Sequence, residues 1–394
     1  MDKTLVLAGD RPKRIRLRVA GTALEQTTWH AKGAPKVTTK PFATAHEVEQ
    51  AFEKAVRKKL REDYVYLATP DQRGDVILEA FAPGGGGGAV LDLSPDGRFV
   101  VTASITSESA FGAKLELVEV ATGARRIVVE EPGGGRQAFL HAALFDRTGA
   151  GIYFTLRDDT EYVELATGAR RVIVKGGGFN PHVTRPSFDR ARRRLVVFAE
   201  GSIVRVLDEH GASLLDVSTA APLTECRAAA ISPSGRLLAV YIVSRGIVYS
   251  HGDAKHDTTN EVHLWDIESG ERWETVAMRE QISRVGLAPD DDELVVTWNY
   301  ADGPVALAIP SGDERWRVTD PVDPTKLATT FAWEYSPHRT LLALGGHRLR
   351  LLDATTRRDL ALPERWGRAE RVAFSADGAR LAVSIAGIAY VLAL

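Results

Sequence analysis

The chain has 394 residues, 44% of them hydrophobic and 26% charged, with a formal net charge of −2. This is the composition of an ordinary soluble protein: no apolar run is long enough to cross a bilayer, and the N-terminal MDKTLVLAGDRPKR lacks an apolar leader. The single cysteine, Cys226, excludes an internal disulfide and any CxxC zinc or redox site, so the expectation is a cytoplasmic protein without membrane contact. The charge is uneven. Residues 1–69 hold 14 Lys and Arg against 8 Asp and Glu, a balance of +6, and the remainder carries −8, which points to different partners for the two parts.

Residues 11–20, RPKRIRLRVA, alternate Arg14, Arg16 and Arg18 with Ile15, Leu17 and Val19, the pattern of a half-buried strand with a basic outer surface. GTALEQTTWH continues after a turn, and KVTTKPF is a third extended run. Thr44 and Glu47 have the spacing of a capping box, and Val48, Ala51, Phe52, Ala55, Val56 and Leu60 recur at helical spacing. An amphipathic helix over 45–62, laid on a small sheet, is predicted. These residues, in WHAKG and TTKPFATAHEVEQAFEKAVRKKLREDY, resemble the WGR domain of poly(ADP-ribose) polymerases and of bacterial proteins of the molybdate-metabolism-regulator type. The resemblance covers residues 3–67: Trp29 stands at the family's Trp, Gly33 at its later Gly, Phe42 and Phe52 at its core aromatics, and Tyr64 at its closing Tyr. His30 and Ala31 replace the Gly and Arg of the tripeptide, so the bidentate phosphate contact of that Arg does not carry over. What the resemblance implies is a nucleic-acid contact through Trp29 with Arg14, Arg16, Arg18, Lys32, Lys36 and Lys40. The alternative for the same residues is a core tryptophan beneath a solvated basic face.

After a short linker, 68–74, a repeat occupies residues 75–394. LSPDGRFVVTAS, FDRTGAGIYFTL, FDRARRRLVVFA, ISPSGRLLAVYI, LAPDDDELVVTW, YSPHRTLLALGG and FSADGARLAVSI each join a large apolar residue, a tight polar turn and a β-rich run, and so read as seven hairpins. A second turn follows most of them, as in VEVATGARR and VELATGARR, which gives four antiparallel strands per unit. The units recur every 39 to 56 residues, the period of a β-propeller blade. The last unit stops after three strands, and DVILEAFA, residues 75–82, is expected to supply its fourth and close the ring. These repeats resemble the WD-repeat propellers; Trp265-Asp266 is the one instance of the name-giving dipeptide among these turn strings. The fold expected is mainly β: a seven-bladed propeller behind a small α+β WGR-like domain.

No enzyme motif is present: no GxSxG elbow, no GxxxxGK[ST] loop and no HExxH helix. No cofactor is implied. The insertion VYSHGDAKHDTTNEVH gathers His251, Asp253, His256, Asp257 and His263, but at a spacing that fits no standard metal site. Arg185, Arg284 and Arg371 lie four residues before the turn of their units, and His141 and Arg227 lie five before. At one mouth of a propeller channel they would form a positive funnel for an acidic peptide or a phosphate group; paired with carboxylates of neighbouring blades, they would not. Trp273 and Trp316 open outer strands, as edge packing or as a partner anchor. The function expected is a non-enzymatic interaction scaffold with a protein partner, and the alternative is a nucleic-acid-associated factor.

Overall fold

In the computed structural model, the repeated turn strings form hairpins for a local reason. The Ser94, Ser232, Ser336 and Ser375 hydroxyls accept the N–H of the residue five positions on, at 2.9 Å for Phe99 and 3.0 Å for Leu237, Leu341 and Arg380. Asp146 and Asp189 act alike with a carboxylate, toward Ala150 four positions on and Arg194 five positions on, at 3.1 and 2.9 Å. A short polar side chain that bonds its own turn fixes the reversal and leaves no buried donor unmatched. The structure describes all residues except 10–11, 30–33, 84–90, 107–111, 132–139, 158, 177–186, 190, 200–202, 219–223, 251–252, 280, 299–303, 319–331, 347 and 363–368.

The chain begins with β1 (Asp2–Leu7), β2 (Lys13–Ala20), β3 (Ala23–Trp29), β4 (Lys36–Pro41), α1 (Ala45–Arg61), β5 (Val65–Leu67) and β6 (Val76–Phe81). Blade one is β7 (Leu91–Leu93), β8 (Phe99–Thr106), β9 (Gly112–Glu119) and β10 (Arg125–Glu131), and blade two is β11 (Leu140–Phe145), β12 (Gly151–Leu156), β13 (Asp159–Glu164) and β14 (Arg170–Val174). Blade three follows with β15 (Ser187–Phe188), β16 (Leu195–Ala199), β17 (Ile203–Leu207) and β18 (Ser213–Val217). Blade four is β19 (Thr224–Ile231), β20 (Leu237–Ser250), β21 (Asp253–Asp266) and β22 (Arg272–Ala277). Blade five is β23 (Ile282–Leu287), β24 (Glu293–Trp298), β25 (Pro304–Ala308) and β26 (Glu314–Arg317). Blade six has three strands, β27 (Ala332–Tyr335), β28 (Leu341–Gly345) and β29 (Arg350–Asp353). The chain ends with β30 (Ala369–Phe374), β31 (Arg380–Ile385) and β32 (Ile388–Ala393).

Six blades therefore stand as separate sheets where seven were expected, and the remaining strands form one nine-stranded sheet, β30-β31-β32-β6-β5-β1-β2-β3-β4. β32 pairs with β6, Ile388 opposite Phe81, and β6 pairs in turn with β5, Tyr66 opposite Glu79. The expected front domain is consequently not a separate α+β body. Its helix, capped by Thr44 and Glu47, lays Phe52, Val56 and Leu60 on Leu5, Ile15 and Leu17, and the same core takes in Ile388 from the far end of the chain. The physical reason is the edge of β6: a bare edge exposes unpaired backbone groups, and β5 covers it. Lys3 and the buried Glu79 form an ion pair across this junction.

Neighbouring sheets share one apolar core each, such as Val101, Leu115 and Leu117 of blade one with Phe145, Ile152 and Phe154 of blade two. The first and third turns of an antiparallel blade fall at the same end, so all of them lie on one face of the ring, here called the turn face. On that face polar links run from sheet to sheet. Arg380 reaches the Gly97 carbonyl, Asp92 accepts the Phe145 N–H, Arg147 pairs with Glu209 and Arg194 donates to the Gly235 carbonyl. Ser234 donates to Asp291, Arg339 pairs with Asp290, and the His338 ring bonds the Asp377 carbonyl. The opposite end, the loop face, holds the second turns and the connections between sheets.

Candidate functional site in the central channel

Four charged side chains from four sheets converge on the ring axis. Arg192, in the turn after β15 with a left-handed φ of 53°, extends inward from blade three. Its Nη1 and Nη2 donate to Asp92 Oδ2 and Oδ1 of β7 at 2.8 and 3.1 Å, and Nη1 also donates to the Phe145 carbonyl at 2.6 Å. Asp92 Oδ2 accepts the Phe145 N–H at 2.9 Å as well, so one carboxylate holds blades one, two and three together. Arg192 is further within electrostatic reach of Glu334 in blade six, across the ring. Glu334 repeats the role of Asp92 between blade six and the nine-stranded sheet: its Oε1 faces the N–H of Phe374 on β30 at 3.4 Å. Burial, and then the charge of Asp92, push the Glu334 carboxyl up to about 7.

Arg284 of β23 completes the cluster. Its guanidinium lies 5.0 Å from the ring centroid of Trp333, whose Nε1 donates to Thr297 Oγ1 at 3.2 Å. Gly286 makes that stack fit, because a Cβ there would lie 2.2 Å from the indole ring. Burial pulls the Arg284 guanidinium below its ordinary value, and the charge of Glu334 opposes that pull.

The residues singled out from sequence fall into different places. The inner strands skip register at 141, 227, 283 and 370, so His141 and Arg227 are bulge residues while Arg284 and Arg371 sit in register beyond the bulge. That bulge is why the offsets from the turn were five and four. Arg227 is neutralised on its own strand by Glu225, at 3.0 Å. Arg371 is engaged by contacts of its own. Arg185 lies outside the described residues, and His141 is described for its backbone alone. Of the expected funnel, the structure thus describes one guanidinium paired and one stacked on an indole.

On the N-terminal sheet, Arg14, Arg16 and Arg18 stand opposite Trp29, Thr27 and Glu25, all on one face. Lys36 and Lys40 stand opposite Thr28 and Leu24, on the other face. Arg14 stacks on the half-buried Trp29, 5.2 Å from its centroid, and Arg16 bonds Asp2, Nε to Oδ1 at 2.8 Å. Lys32 lies outside the described residues. The basic set is divided between two surfaces and partly engaged, and the nucleic-acid alternative finds no support in it. Of the metal candidates, His263 bonds Glu261 at 2.9 Å; Asp253, His256 and Asp257 lie along the β20–β21 hairpin, described for their backbone alone, and His251 lies outside the described residues. Trp316 packs beneath Arg357 at 4.4 Å, whereas Trp273 is 45% exposed at the rim of the turn face.

Asp92, Arg192 and Glu334 were not singled out from sequence. A signal existed for the two acids: both stand two residues before their turn serine, in strands otherwise apolar or small. Arg192 sits in the run RARRR, which reads as a solvated turn.

No family model matches the sequence, and no curated protein matches it. Among solved structures 1175 chains match, so the fold is a common one and cannot by itself name a ligand. One is a chain in the crystal structure of the mitotic checkpoint complex, 14% identical, with a TM-score of 0.59, covering 83% of this chain and 95% of that one. At that identity the likeness is one of fold: a mainly β chain, with one helix among the described residues, built as a β-propeller.

Proposed function

We propose that this chain is a non-enzymatic, cytoplasmic protein-interaction scaffold, and that the loop face receives the partner. β30, β31, β32 and β6 are read as filling a seventh blade position, with the WGR-like strands as a lateral extension of that blade. The observation that carries the scaffold reading is the β20–β21 hairpin. Its pairing runs without a break from Leu237 opposite Asp266 to Ser250 opposite Asp253, whereas its inner neighbour β19 stops pairing at Ser244. Six further residues of β20 extend past the blade, about 20 Å of hairpin at roughly 3.3 Å per residue. An element of that length adds nothing to the ring core and offers backbone edges and a large surface to a second protein. No helix among the described residues is long and apolar enough to cross a membrane.

The test compares cross-linked partners of the intact protein with those of a variant lacking residues 246–257. A partner recovered by the first and lost by the second, at equal melting temperature, is the expected result. The same partners at the same yield from both would remove the hairpin from the argument.

A further inference from the structure

Of the four charges in this cluster, all but one have a partner among the described residues. Asp92 holds Arg192 in a two-pronged pair, and Glu334 faces the Phe374 N–H. Among the described residues Arg284 has no hydrogen-bond or ion-pair partner, and the charge of Glu334 acts on it at longer range. A cation held among protein atoms without a counter-ion is costly, and an anion of matching shape repays that cost. The Arg284 side chain is half-buried rather than fully enclosed. Trp333 covers one face of the guanidinium, Thr297 fixes the indole, and Gly286 lets the two lie close, so the fork is held in a set orientation before any ligand arrives.

We propose that Arg284, backed by Trp333, is a carboxylate-binding site on the propeller axis, entered from the end opposite the Arg192–Asp92 pair. A planar carboxylate matches the planar fork of a guanidinium through two parallel hydrogen bonds, which a spherical halide cannot make. The carboxylate has two sources, a free small organic acid or an acidic side chain of a partner segment. The second source extends the scaffold reading; the first does not depend on it, so the two readings fail separately.

Glu334 tunes the site. It is faced by Asp92 from β7, Arg192 from the blade-three turn, Arg284 from β23 and the Phe374 N–H from β30. When ionised it competes for the charge of Arg284, and when protonated it does not. With its carboxyl titrating at about 7, acetate should bind more tightly at pH 6 than at pH 8.

The experiment follows tryptophan fluorescence and melting temperature of the full chain as sodium acetate is added at constant ionic strength, with sodium chloride as the reference anion. A saturable response to acetate, stronger at pH 6 than at pH 8, is expected. Arg284→Gln should weaken it at least tenfold, and Trp333→Phe should remove the fluorescence change and weaken the melting shift. Arg284→Lys keeps the charge and guards against a folding defect; it should bind acetate no better than chloride. Glu334→Gln should keep binding and lose its pH dependence. An acidic hexapeptide that binds more tightly than acetate assigns the site to a partner segment, and one that binds no better assigns it to a small acid. An equal response from Arg284→Gln, or from chloride in the unaltered protein, overturns the proposal.

Discussion

The two faces of the ring are built on opposite plans. On the turn face, short turns repeat with small variations, each closed by its own serine or aspartate, and polar links join every sheet to the next. On the loop face, the connections differ in length and sequence, and blade four extends a hairpin whose strands are 14 residues each. The difference teaches where each kind of information resides. A repeated turn specifies the ring and nothing else, so the residues free to select a ligand lie on the other face and in the channel between. Arg192 marks the boundary, because it belongs to a turn yet reaches the axis.

The comparison can be broken or sharpened by measurement. Asp92→Ala leaves the Arg192 guanidinium without its carboxylate and the Phe145 N–H without an acceptor, and should cost about 3–5 kcal/mol in urea unfolding. A cost under about 1 kcal/mol would show that the turn face is held by something else. Next in size is a pH effect. Glu334 retains its proton to about 7 in the folded chain, whereas the unfolded chain loses it near the ordinary glutamate value of 4.5. The folded state therefore binds the extra proton, and stability should fall as pH rises from 4.5 to 7, then level off. Glu334→Gln should flatten melting temperature across that window; an unchanged slope would place the titration elsewhere. Gly123→Ala tests the junction between ring and N-terminal sheet, since its Cβ would meet Val65 at 2.1 Å with φ at +69°. A loss of about 1–3 kcal/mol is expected, recovered in part by adding Val65→Ala. The smallest effect belongs to the loop face. Arg227→Ala breaks a pair whose side chains are 24% and 46% exposed, and should change stability by about 0–1 kcal/mol. A loss comparable to that of Asp92→Ala would erase the distinction between the faces.

What could be read from the sequence is what is local. Ser94 and Asp96, or Ser375 and Asp377, bond within their own turns, so the strings that contain them announce hairpins without reference to anything distant. The period of those strings then implies a ring. The helix was legible for the same reason, through Thr44 and Glu47. The channel was not, because Asp92 and Arg192 are 100 residues apart and neither stands out among its immediate neighbours. The separate front domain was expected because its strands and helix form a complete pattern by themselves. Nothing in that pattern reveals that Tyr66 will pair with Glu79, or that Ile388 will join Phe52 in one core. The division of Lys36 and Lys40 from Arg14 and Arg18 follows from cross-strand register, which composition cannot supply.

The nine-stranded sheet also sets a schedule for synthesis. β6 leaves the ribosome roughly 300 residues before β32, a wait of about 15–60 s at typical elongation rates. β5 and Lys3, which in the folded chain cover one edge of β6 and pair with Glu79, are made before β6 and are at hand throughout that wait. The N-terminal strands and their helix thus shelter half of the closing strand from nascent neighbours until its last partner emerges. Ribosome-stalled chains ending before β32 should be cut by protease near β6, and chains extending through it should resist.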